Sequence, residues 1–333
     1  MPYMNIGSIM ISVERSKSKY FGCMLGAAIG DALGKQNEGV KREYILKKGC
    51  IKDFGKAVDG TPGDKLRPGD YTDDTEQMLV LAGSLIDNNG FDVIDFSNKL
   101  AKWGADALKD PIRRSFVGPT SAHAIEKLYS GVSWKESGGN IPSCGSAMRV
   151  APVGLFYEDL DDVESNAALS SMPTHSNKIS IAGAVAVAIA VRCALDDKGC
   201  ADIISETCAR TSKYDAGLAE KIRLSFELRN NDPDEVFSEL GTSYLVLDTV
   251  PCAFYCFIRH FENPESAIIE AVNAGGDTDS IACITGALCG ALHGSESFPE
   301  RWIEGLENKG LIEETAGKMY EMLNPSQISL LKA

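Results

Sequence analysis

Four glycines recur at every fourth position near the start of the chain, at Gly22, Gly26, Gly30 and Gly34. The apolar residues between them recur at helical spacing, so the pattern predicts one helix over roughly residues 19–35. Glycine in a helix interior costs up to about 1 kcal/mol relative to alanine. We therefore expect a neighbouring backbone to approach this side of the helix closely, and the helix to lie at the centre of the fold.

Three later segments also have the apolar spacing of helices. The first follows Thr72-Asp73-Asp74 and ends at Asn88-Asn89-Gly90, the second covers roughly residues 178–195, and the third follows Gly275-Gly276-Asp277. The third is as rich in small residues as the glycine helix, so we expect the two to share one core. The best strand candidate is residues 243–250, SYLVLDTV, but no alternation of strands and helices surrounds it, and a parallel sheet is not expected.

The predicted fold is a single large all-α domain with long functional loops. A length of 333 residues would also allow two domains. However, no repeat of 20–50 residues and no Pro/Gly/Ser-rich linker divides the chain. Residues 1–17 are predicted to be an N-terminal extension, and residues 18–333 to be the domain.

Composition and charge exclude several classes of protein. The 47 Asp and Glu outnumber the 33 Lys and Arg, for a net charge of −14, so nucleic-acid backbone binding is not expected. The hydrophobic content of 44% excludes global disorder. The longest apolar stretch, residues 179–191, is shorter than the roughly 20 residues of a membrane span, and the N-terminus lacks the basic region of a signal peptide. Ten scattered cysteines without a CxxC pair favour reduced thiols, so we expect a cytoplasmic protein with no membrane partner.

Two loop-to-helix junctions are unusually acidic, Thr72-Asp73-Asp74-Thr75 and Asp277-Thr278-Asp279-Ser280. Helix capping is one explanation, because Asp73 and Glu76 have the spacing of a capping box. A cap needs one carboxylate, whereas each junction supplies two. If the junctions face each other, four carboxylates converge, and divalent cations would neutralise them. Oxygen-only donors suit Mg²⁺ or Mn²⁺. Capping and metal binding both stay open from the residues alone.

Five motifs occur in a fixed order over roughly residues 20–295. They are Gly30-Asp31-Ala32-Leu33-Gly34 with Glu38, Tyr71-Thr72-Asp73-Asp74-Thr75, Gly145-Ser146-Ala147-Met148-Arg149, Thr174-His175, and Gly275-Gly276-Asp277-Thr278-Asp279-Ser280. Together they resemble the ADP-ribosylglycohydrolase family, which is typified by dinitrogenase reductase-activating glycohydrolase and the ADP-ribosylarginine and ADP-ribosylserine hydrolases.

The resemblance implies an all-α orthogonal bundle with two divalent cations, Mg²⁺ or Mn²⁺. It assigns metal-ligand roles to Thr72, Asp73, Asp74, Asp277, Asp279 and Ser280, with Ser280 in place of the usual Thr. It assigns catalytic roles to Glu38 and Asp74. It assigns substrate contacts to Asp110, Gly145, Ser146, Ala147, Met148 and His175, with the loop from Gly145 to Met148 on the phosphates.

Several of these assignments have a structural alternative. Asp110 could cap its own loop, and His175 could be a core histidine with satisfied nitrogens. Asp31 is expected to be a structural hydrogen-bond partner within its own helix rather than a catalyst. Cys144 stands where the family often has Asn, which we expect to remove a hydrogen-bonding side chain from the start of the phosphate loop. Arg149 is expected to form a surface or structural ion pair.

The implied activity is hydrolysis of the glycosidic bond at the anomeric carbon of an ADP-ribosyl group, with Glu38 handling the proton of the attacking water. The partner would be an ADP-ribosylated protein or a small ADP-ribosyl conjugate. The leaving group stays open among arginine, serine, a nucleic-acid base and a small metabolite. Two other classes also stay open: a different two-metal hydrolase such as a phosphohydrolase, and a non-enzymatic ADP-ribose-binding or crystallin-like protein.

Overall fold

The protein is helical throughout the part of the chain that its computed structural model describes, which is the backbone of residues 6–325 and the side chains of residues 16–325. In this part, two isolated bridges, Gly139–His175 and Ser143–Leu245, take the place of a sheet. The predicted all-α fold is confirmed. The helices are α1 (Ile6–Gly34), α2 (Arg42–Lys48), α3 (Asp73–Asn88), α4 (Val93–Ala107), α5 (Arg113–Phe116), α6 (Pro119–Tyr129), α7 (Trp134–Ser137), α8 (Ala151–Phe156), α9 (Leu160–Ser171), α10 (Lys178–Leu195), α11 (Cys200–Thr211), α12 (Ala216–Glu227), α13 (Pro233–Leu240), α14 (Val246–Arg259), α15 (Pro264–Val272), α16 (Thr278–His293), α17 (Glu300–Gly305) and α18 (Lys309–Leu323).

The glycines of α1 lie directly against the small residues of α16. The contacts pair Gly22 with Gly290, Gly26 with Gly286, and Gly30 with Ala282. A Cβ atom added to any of these α1 glycines would collide with a backbone carbonyl of α16. Glycine is therefore required by the short distance between the two backbones. The expectation of a central helix with close backbone approach is confirmed.

The two helices run antiparallel, so the end of α1 lies beside the start of α16. Past the end of α1, the amide of Gly39 donates to the carbonyl of Gly276 over 2.7 Å, and the amide of Gly276 donates to the carbonyl of Val40 over 2.9 Å. Gly276 has a φ of 73°, in the left-handed region that favours glycine. The loop that carries Glu38 is thereby joined to the turn that carries Asp277.

The strand candidate at residues 243–250 is wrong. α14 begins at Val246, and its residues Val246, Thr249 and Val250 are buried at helical spacing against the core. The β-branched residues that suggested a strand have a preference that depends on packing, and here the packing partner is a helical core.

Helix α10 matches its predicted bounds and lies inside the protein. Of the described helices, it is the one long and apolar enough to cross a membrane, and 83% of its residues are buried in the fold. A helix that is apolar on every side is expected in the core of a large domain. Its composition is therefore explained by burial among its neighbours.

Helix α1 begins earlier than predicted. It begins at Ile6, within the segment predicted to be an N-terminal extension, while residues 1–5 and 326–333 lie outside the described part. The division of the chain at residue 17 stays a prediction.

We expect Gly26→Ala to lower the free energy of unfolding by about 1–3 kcal/mol, the usual cost of adding volume to a packed core. The new methyl group would meet the backbone of Gly286, which cannot rotate away as a side chain can. The control is Gly83→Ala in α3, where a Cβ has open space and the alanine should be neutral or slightly stabilising. Urea denaturation of both variants measures the difference. Equal stability of the two would contradict the proposed backbone contact.

Candidate active site

The two acidic junctions meet in one cavity of about 210 Å³. Its wall contains five carboxylates: Glu38, Asp73, Asp74, Asp277 and Asp279. It also contains Ser280, Cys144, Gly145, Met148 and His175 from the predicted site, together with Phe116, Thr120, Ser121, Ser143 and Tyr244. The α1–α16 contact brings the Glu38 loop to the start of α16, and α3 supplies the remaining acids.

Asp31 holds the start of α3 in place. This fully buried carboxylate accepts hydrogen bonds from the amides and hydroxyls of both Thr72 and Thr75, at distances of 2.6–3.1 Å. Burial raises its pKa, and the hydrogen bonds from Thr75 and Thr72 oppose that rise. The two threonines flank Asp73 and Asp74, so Asp31 fixes the position of both acids without facing the cavity. Its predicted structural role agrees with this geometry, although its partners lie on α3.

The carboxylates of the junctions are not used as helix caps. The N-cap of α3 is Thr72, whose hydroxyl accepts from the amide of Asp74 at 3.5 Å. Asp277 occupies the N-cap position of α16, but its side chain caps no amide. Glu76 pairs with Arg113 rather than closing a capping box. The capping explanation therefore fails for Asp73, Asp74 and Asp277.

Two side-chain donors orient Asp277. Thr249 Oγ1 lies 2.9 Å from Asp277 Oδ2 and shares its one proton between that oxygen and the carbonyl of Ser243 at 2.7 Å. The thiol of Cys144 lies 3.1 Å from the same carboxylate oxygen. Burial, followed by the charge of Asp277, raises the pKa of Cys144 well above its usual value, so the thiol keeps its proton. The expectation that Cys144 removes a hydrogen-bonding side chain is therefore wrong. The thiol is itself a donor to a site carboxylate.

The cavity concentrates negative charge without compensation. Burial is the main cause that raises the pKa values of Asp73, Asp74 and Asp279 well above their usual range, and neighbouring carboxylates add to it. Burial, followed by the charge of Asp277, raises the pKa of Glu38 to about 8. Glu38 Oε2 and Asp74 Oδ2 are buried without a hydrogen-bond partner. The cavity wall contains no Lys or Arg side chain. Such a site favours either protons or cations.

The predicted phosphate loop contributes only part of its length to the cavity. Gly145 and Met148 line it, whereas Ser146 is buried away from it and bonded to Ser171 and Ser180. The amides of Ala147 and Met148 donate to the carbonyl of Cys144. These two amides are already used, so the amides of Gly145 and Ser146 are the candidates for binding an anion.

His175 is both a cavity residue and a satisfied core histidine. Its Nδ1 lies 2.8 Å from Thr174 Oγ1, and its Nε2 lies 3.1 Å from Ser143 Oγ. Burial, followed by the charge of Arg149, lowers its pKa to about 3, so the ring is neutral at physiological pH. A Cβ at Gly145 would press on the imidazole, which explains the glycine at that place.

Asp110 does not line the cavity. It is exposed, and its Oδ1 accepts from the amides of Ile112 and Arg113, as a loop cap does. The following segment does reach the cavity, through Phe116 and Thr120. The contact of Asp110 with substrate stays a prediction.

A larger groove of about 600 Å³ lies beside the turn at Gly276 and is lined by α2 and α13. Its main cation, Arg42, is already paired with Asp234 and Glu270 and stacked on Phe237. The groove contains none of the residues of the two acidic junctions, so the smaller acidic cavity is the candidate active site.

Sequence comparison assigns a family to this geometry. The family model described as ADP-ribosylglycohydrolase matches residues 12–328. The chain belongs to the ADP-ribosylglycohydrolase family. It is therefore a glycosyl hydrolase by family.

Individual relatives match over almost their whole length. A protein of unknown function from Archaeoglobus fulgidus is 43% identical over 310 residues, which cover 92% of this chain and 97% of that protein. ADP-ribosylhydrolase ARH3 of Mus musculus is 30% identical over 354 residues, which cover 93% of this chain and 94% of that protein. A solved structure described as an ADP-ribosylglycohydrolase-related protein complex has a TM-score of 0.78 at 26% identity, covering 93% of this chain and 99% of that chain.

Sequence reasoning missed several residues of this ADP-ribosylglycohydrolase site. Thr249, Ser143 and Tyr244 have no motif of their own and reach the site through the packing of α14 and the loops before it. Tyr244 is 58% exposed at the cavity mouth. No pattern in the sequence marks these three residues, because packing between distant segments brings them to the site.

We expect Asp74→Asn to stabilise the metal-free protein at pH 8, by on the order of 1 kcal/mol. Folding raises the pKa of this carboxylic acid above its value of about 3.9 in the unfolded chain. As pH rises above 3.9, the unfolded state gives up the proton more readily than the folded state, so the free energy of unfolding falls. Wild-type protein in EDTA should therefore lose stability between pH 5 and pH 8, and Asp74→Asn should lose less. Urea denaturation at both pH values measures this.

The matched control is Asp31→Asn. Asparagine cannot accept all the hydrogen bonds that Asp31 receives from Thr72 and Thr75, so this variant should be destabilised by about 1–3 kcal/mol. If Asp74→Asn destabilises the protein as much as Asp31→Asn does, Asp74 has an ordinary structural role.

Proposed function

We propose that this protein hydrolyses the bond between the anomeric carbon of an ADP-ribosyl group and a protein side chain or small acceptor, with two divalent cations, Mg²⁺ or Mn²⁺. The observation that carries the proposal is the meeting of five carboxylates in one cavity whose wall has no basic side chain. The family of the chain supplies the substrate class. The mouse relative's name, ADP-ribosylhydrolase ARH3, supports the same class.

The donor set fits hard cations. The unpartnered oxygens Glu38 Oε2 and Asp74 Oδ2 are buried acceptors that a cation would satisfy. Thr72 donates its hydroxyl proton to Asp31, which leaves an oxygen lone pair free for an ion. Among the described side chains of residues 16–325, no three Asp, Glu, His or Cys side chains are grouped closely enough to hold an ion. Ion binding would therefore draw these side chains together. Without ions, the repulsion between the negatively charged carboxylates keeps them apart.

The residues that would hold the ions are Thr72, Asp73, Asp74, Asp277, Asp279 and Ser280. Bound ions would supply a fixed position for the ribose hydroxyls and a water of lowered pKa. Asp277 is held from behind by Thr249 and Cys144, and Asp73 by Gln77 Nε2 at 2.7 Å. These partners leave the other carboxylate oxygen of each aspartate available.

Glu38 is suited to move the proton of the attacking water. Its Oε2 is buried without a hydrogen-bond partner, so this oxygen is available to accept a proton from water and to return it. Its place in a loop beside the Gly276 turn puts the carboxyl group in the cavity wall. Asp74 lies in the same wall and is also assigned a catalytic role, in which it would hold the reacting group in position.

The size of the cavity limits which part of the substrate it encloses. A volume of about 210 Å³ is smaller than the roughly 300–1,000 Å³ of pockets that bury a drug-sized ligand. The cavity would enclose the reacting ribose, with the diphosphate at the amides of Gly145 and Ser146. The adenine ring of the ADP-ribosyl group would lie at the mouth of the cavity, where Phe116 and Tyr244 offer aromatic surface. A cytoplasmic location without a membrane partner remains part of the proposal.

The deciding experiment is incubation with ADP-ribosylated arginine and serine peptides, and with ADP-ribosyl conjugates of a base and a metabolite, followed by chromatography of the products. Release of free ADP-ribose is expected, and it should stop with EDTA and return with Mg²⁺ or Mn²⁺. Release of inorganic phosphate instead would favour a phosphohydrolase. Binding of ADP-ribose without any product would favour a non-enzymatic role.

We expect Glu38→Gln to lower kcat on the order of 10²–10⁴-fold, the usual size of a general acid–base contribution. Glutamine keeps the shape but cannot take the proton, so ADP-ribose binding and thermal stability should change little. Steady-state kinetics on the substrate identified above measures this. Glu43→Gln is the control, because it makes the same change of charge at an exposed position of α2. Turnover of Glu38→Gln within a few-fold of Glu43→Gln would exclude the assigned role.

A further inference from the structure

Arg149 is a fully buried cation at the back of the candidate active site. Its hydrogen-bond partners among the described residues are neutral groups, not the carboxylate of the expected surface or structural ion pair. Its Nη1 donates to Gln77 Oε1 over 2.5 Å, and its Nη2 donates to Thr174 Oγ1 over 2.7 Å and to the carbonyl of Ser170 over 3.2 Å. The guanidinium also lies 5.3 Å from the ring centre of Phe96. Burial lowers its pKa to about 9, which still leaves it charged at neutral pH.

One arm of hydrogen bonds leads from Arg149 to a site carboxylate. A guanidinium has only donors, so the oxygen of the Gln77 amide must face Arg149. The amide nitrogen of Gln77 then faces Asp73 and donates to its Oδ2 over 2.7 Å. Arg149 thus fixes which way the Gln77 amide points, and with it the donor that Asp73 receives.

The second arm leads to the opposite wall of the cavity. Thr174 Oγ1 accepts from Arg149, so the proton of its hydroxyl is available for His175 Nδ1 at 2.8 Å. A ring that accepts at Nδ1 and is neutral carries its proton on Nε2, which then donates to Ser143 Oγ at 3.1 Å. Ser143 in turn donates to Thr120 Oγ1 over 3.1 Å.

We propose that Arg149 is a positioning residue that sets the direction of both hydrogen-bond arms, and so fixes His175 in its Nε2–H form and makes the cavity wall at Thr120 a hydrogen-bond donor. Each hydroxyl along the second arm accepts from the Arg149 side and donates towards the cavity. The hydroxyl hydrogen of Thr120 is therefore left for an acceptor oxygen of the substrate. Phosphate oxygens only accept at neutral pH, so this wall suits them.

The cost of burying Arg149 supports this role. An apolar side chain of similar volume usually fills such a place at equal or better stability, because a buried charge loses its hydration. Arg149 reaches the carboxylate of Asp73 only through Gln77, and the Nε of Arg149 has no hydrogen-bond partner. Arg149 has only hydrogen-bond donors, so it orients both Gln77 and Thr174, which no apolar side chain could do.

Thr174→Val tests the second arm, because valine keeps the shape and removes the hydroxyl, while Thr174→Ser restores it. ¹⁵N NMR of histidine-labelled protein reads the ring directly, with His175 assigned among the four histidines by its loss in His175→Gln. Wild type and Thr174→Ser should show a bare Nδ1 and a protonated Nε2, and Thr174→Val should lose this pure form. A wild-type ring protonated on Nδ1, or a Thr174→Val spectrum identical to wild type, would overturn the proposal.

The two arms should also separate in kinetics. Thr174→Val should raise KM for the ADP-ribosyl substrate roughly 2- to 12-fold, the equivalent of one neutral hydrogen bond, with metal affinity unchanged. Gln77→Met should weaken Mn²⁺ binding, measured by calorimetry, about 10- to 100-fold, as for other partners of metal ligands. Equal effects of both variants on both quantities would indicate a general packing role. The kinetic measurements rest on the proposed function. The NMR result decides the direction of the hydrogen bonds even if no ADP-ribosyl substrate is cleaved.

Discussion

The active site depends on the backbone contact between α1 and α16. The glycines of α1 and the small residues of α16 let the two antiparallel helices touch side by side. The last turn of α1 therefore lies directly beside the first turn of α16. The hydroxyl of Thr278 donates to the carbonyl of Gly34 over 2.7 Å, and a Cβ on Gly34 would collide with Thr278. Any larger spacing would separate Glu38 from Asp277 and Asp279. The residues that look most structural in this chain therefore determine the geometry of the chemistry.

The site also contains buried carboxylates whose mutual repulsion and loss of hydration the fold does not compensate. Asp31 shows what a purely structural buried carboxylate looks like here, since every hydrogen bond it needs comes from α3. Asp74 is also buried, but its Oδ2 has no hydrogen-bond partner. Two buried acids on adjacent helices thus differ in whether the protein itself satisfies them. An unsatisfied acid in a cavity is typical of a group whose partner is a ligand.

Local patterns were enough to predict the helices and the two junctions, because helix periodicity, glycine spacing and acidic caps are all read within a few residues. Residues 243–250 were misplaced by the same local reasoning, since whether β-branched residues form a strand is decided by distant packing. Gln77 and Arg149 are 72 residues apart in sequence and 2.5 Å apart in space. No spacing in the sequence indicates such a pair.

The identity of Gln77 follows from its two neighbours. Arg149 can only donate, and an ionised Asp73 can only accept, so the residue between them must accept on one side and donate on the other. A glutamate at this place would pair well with Arg149 but would face Asp73 with a second negative charge. A lysine would satisfy Asp73 but would oppose Arg149. An amide is the uncharged group of the right length that serves both sides, and it transmits the orientation of a buried cation to a site carboxylate without neutralising that carboxylate by direct pairing. Gln77 occupies one oxygen of Asp73, and the other oxygen stays available for the ligand of the cavity.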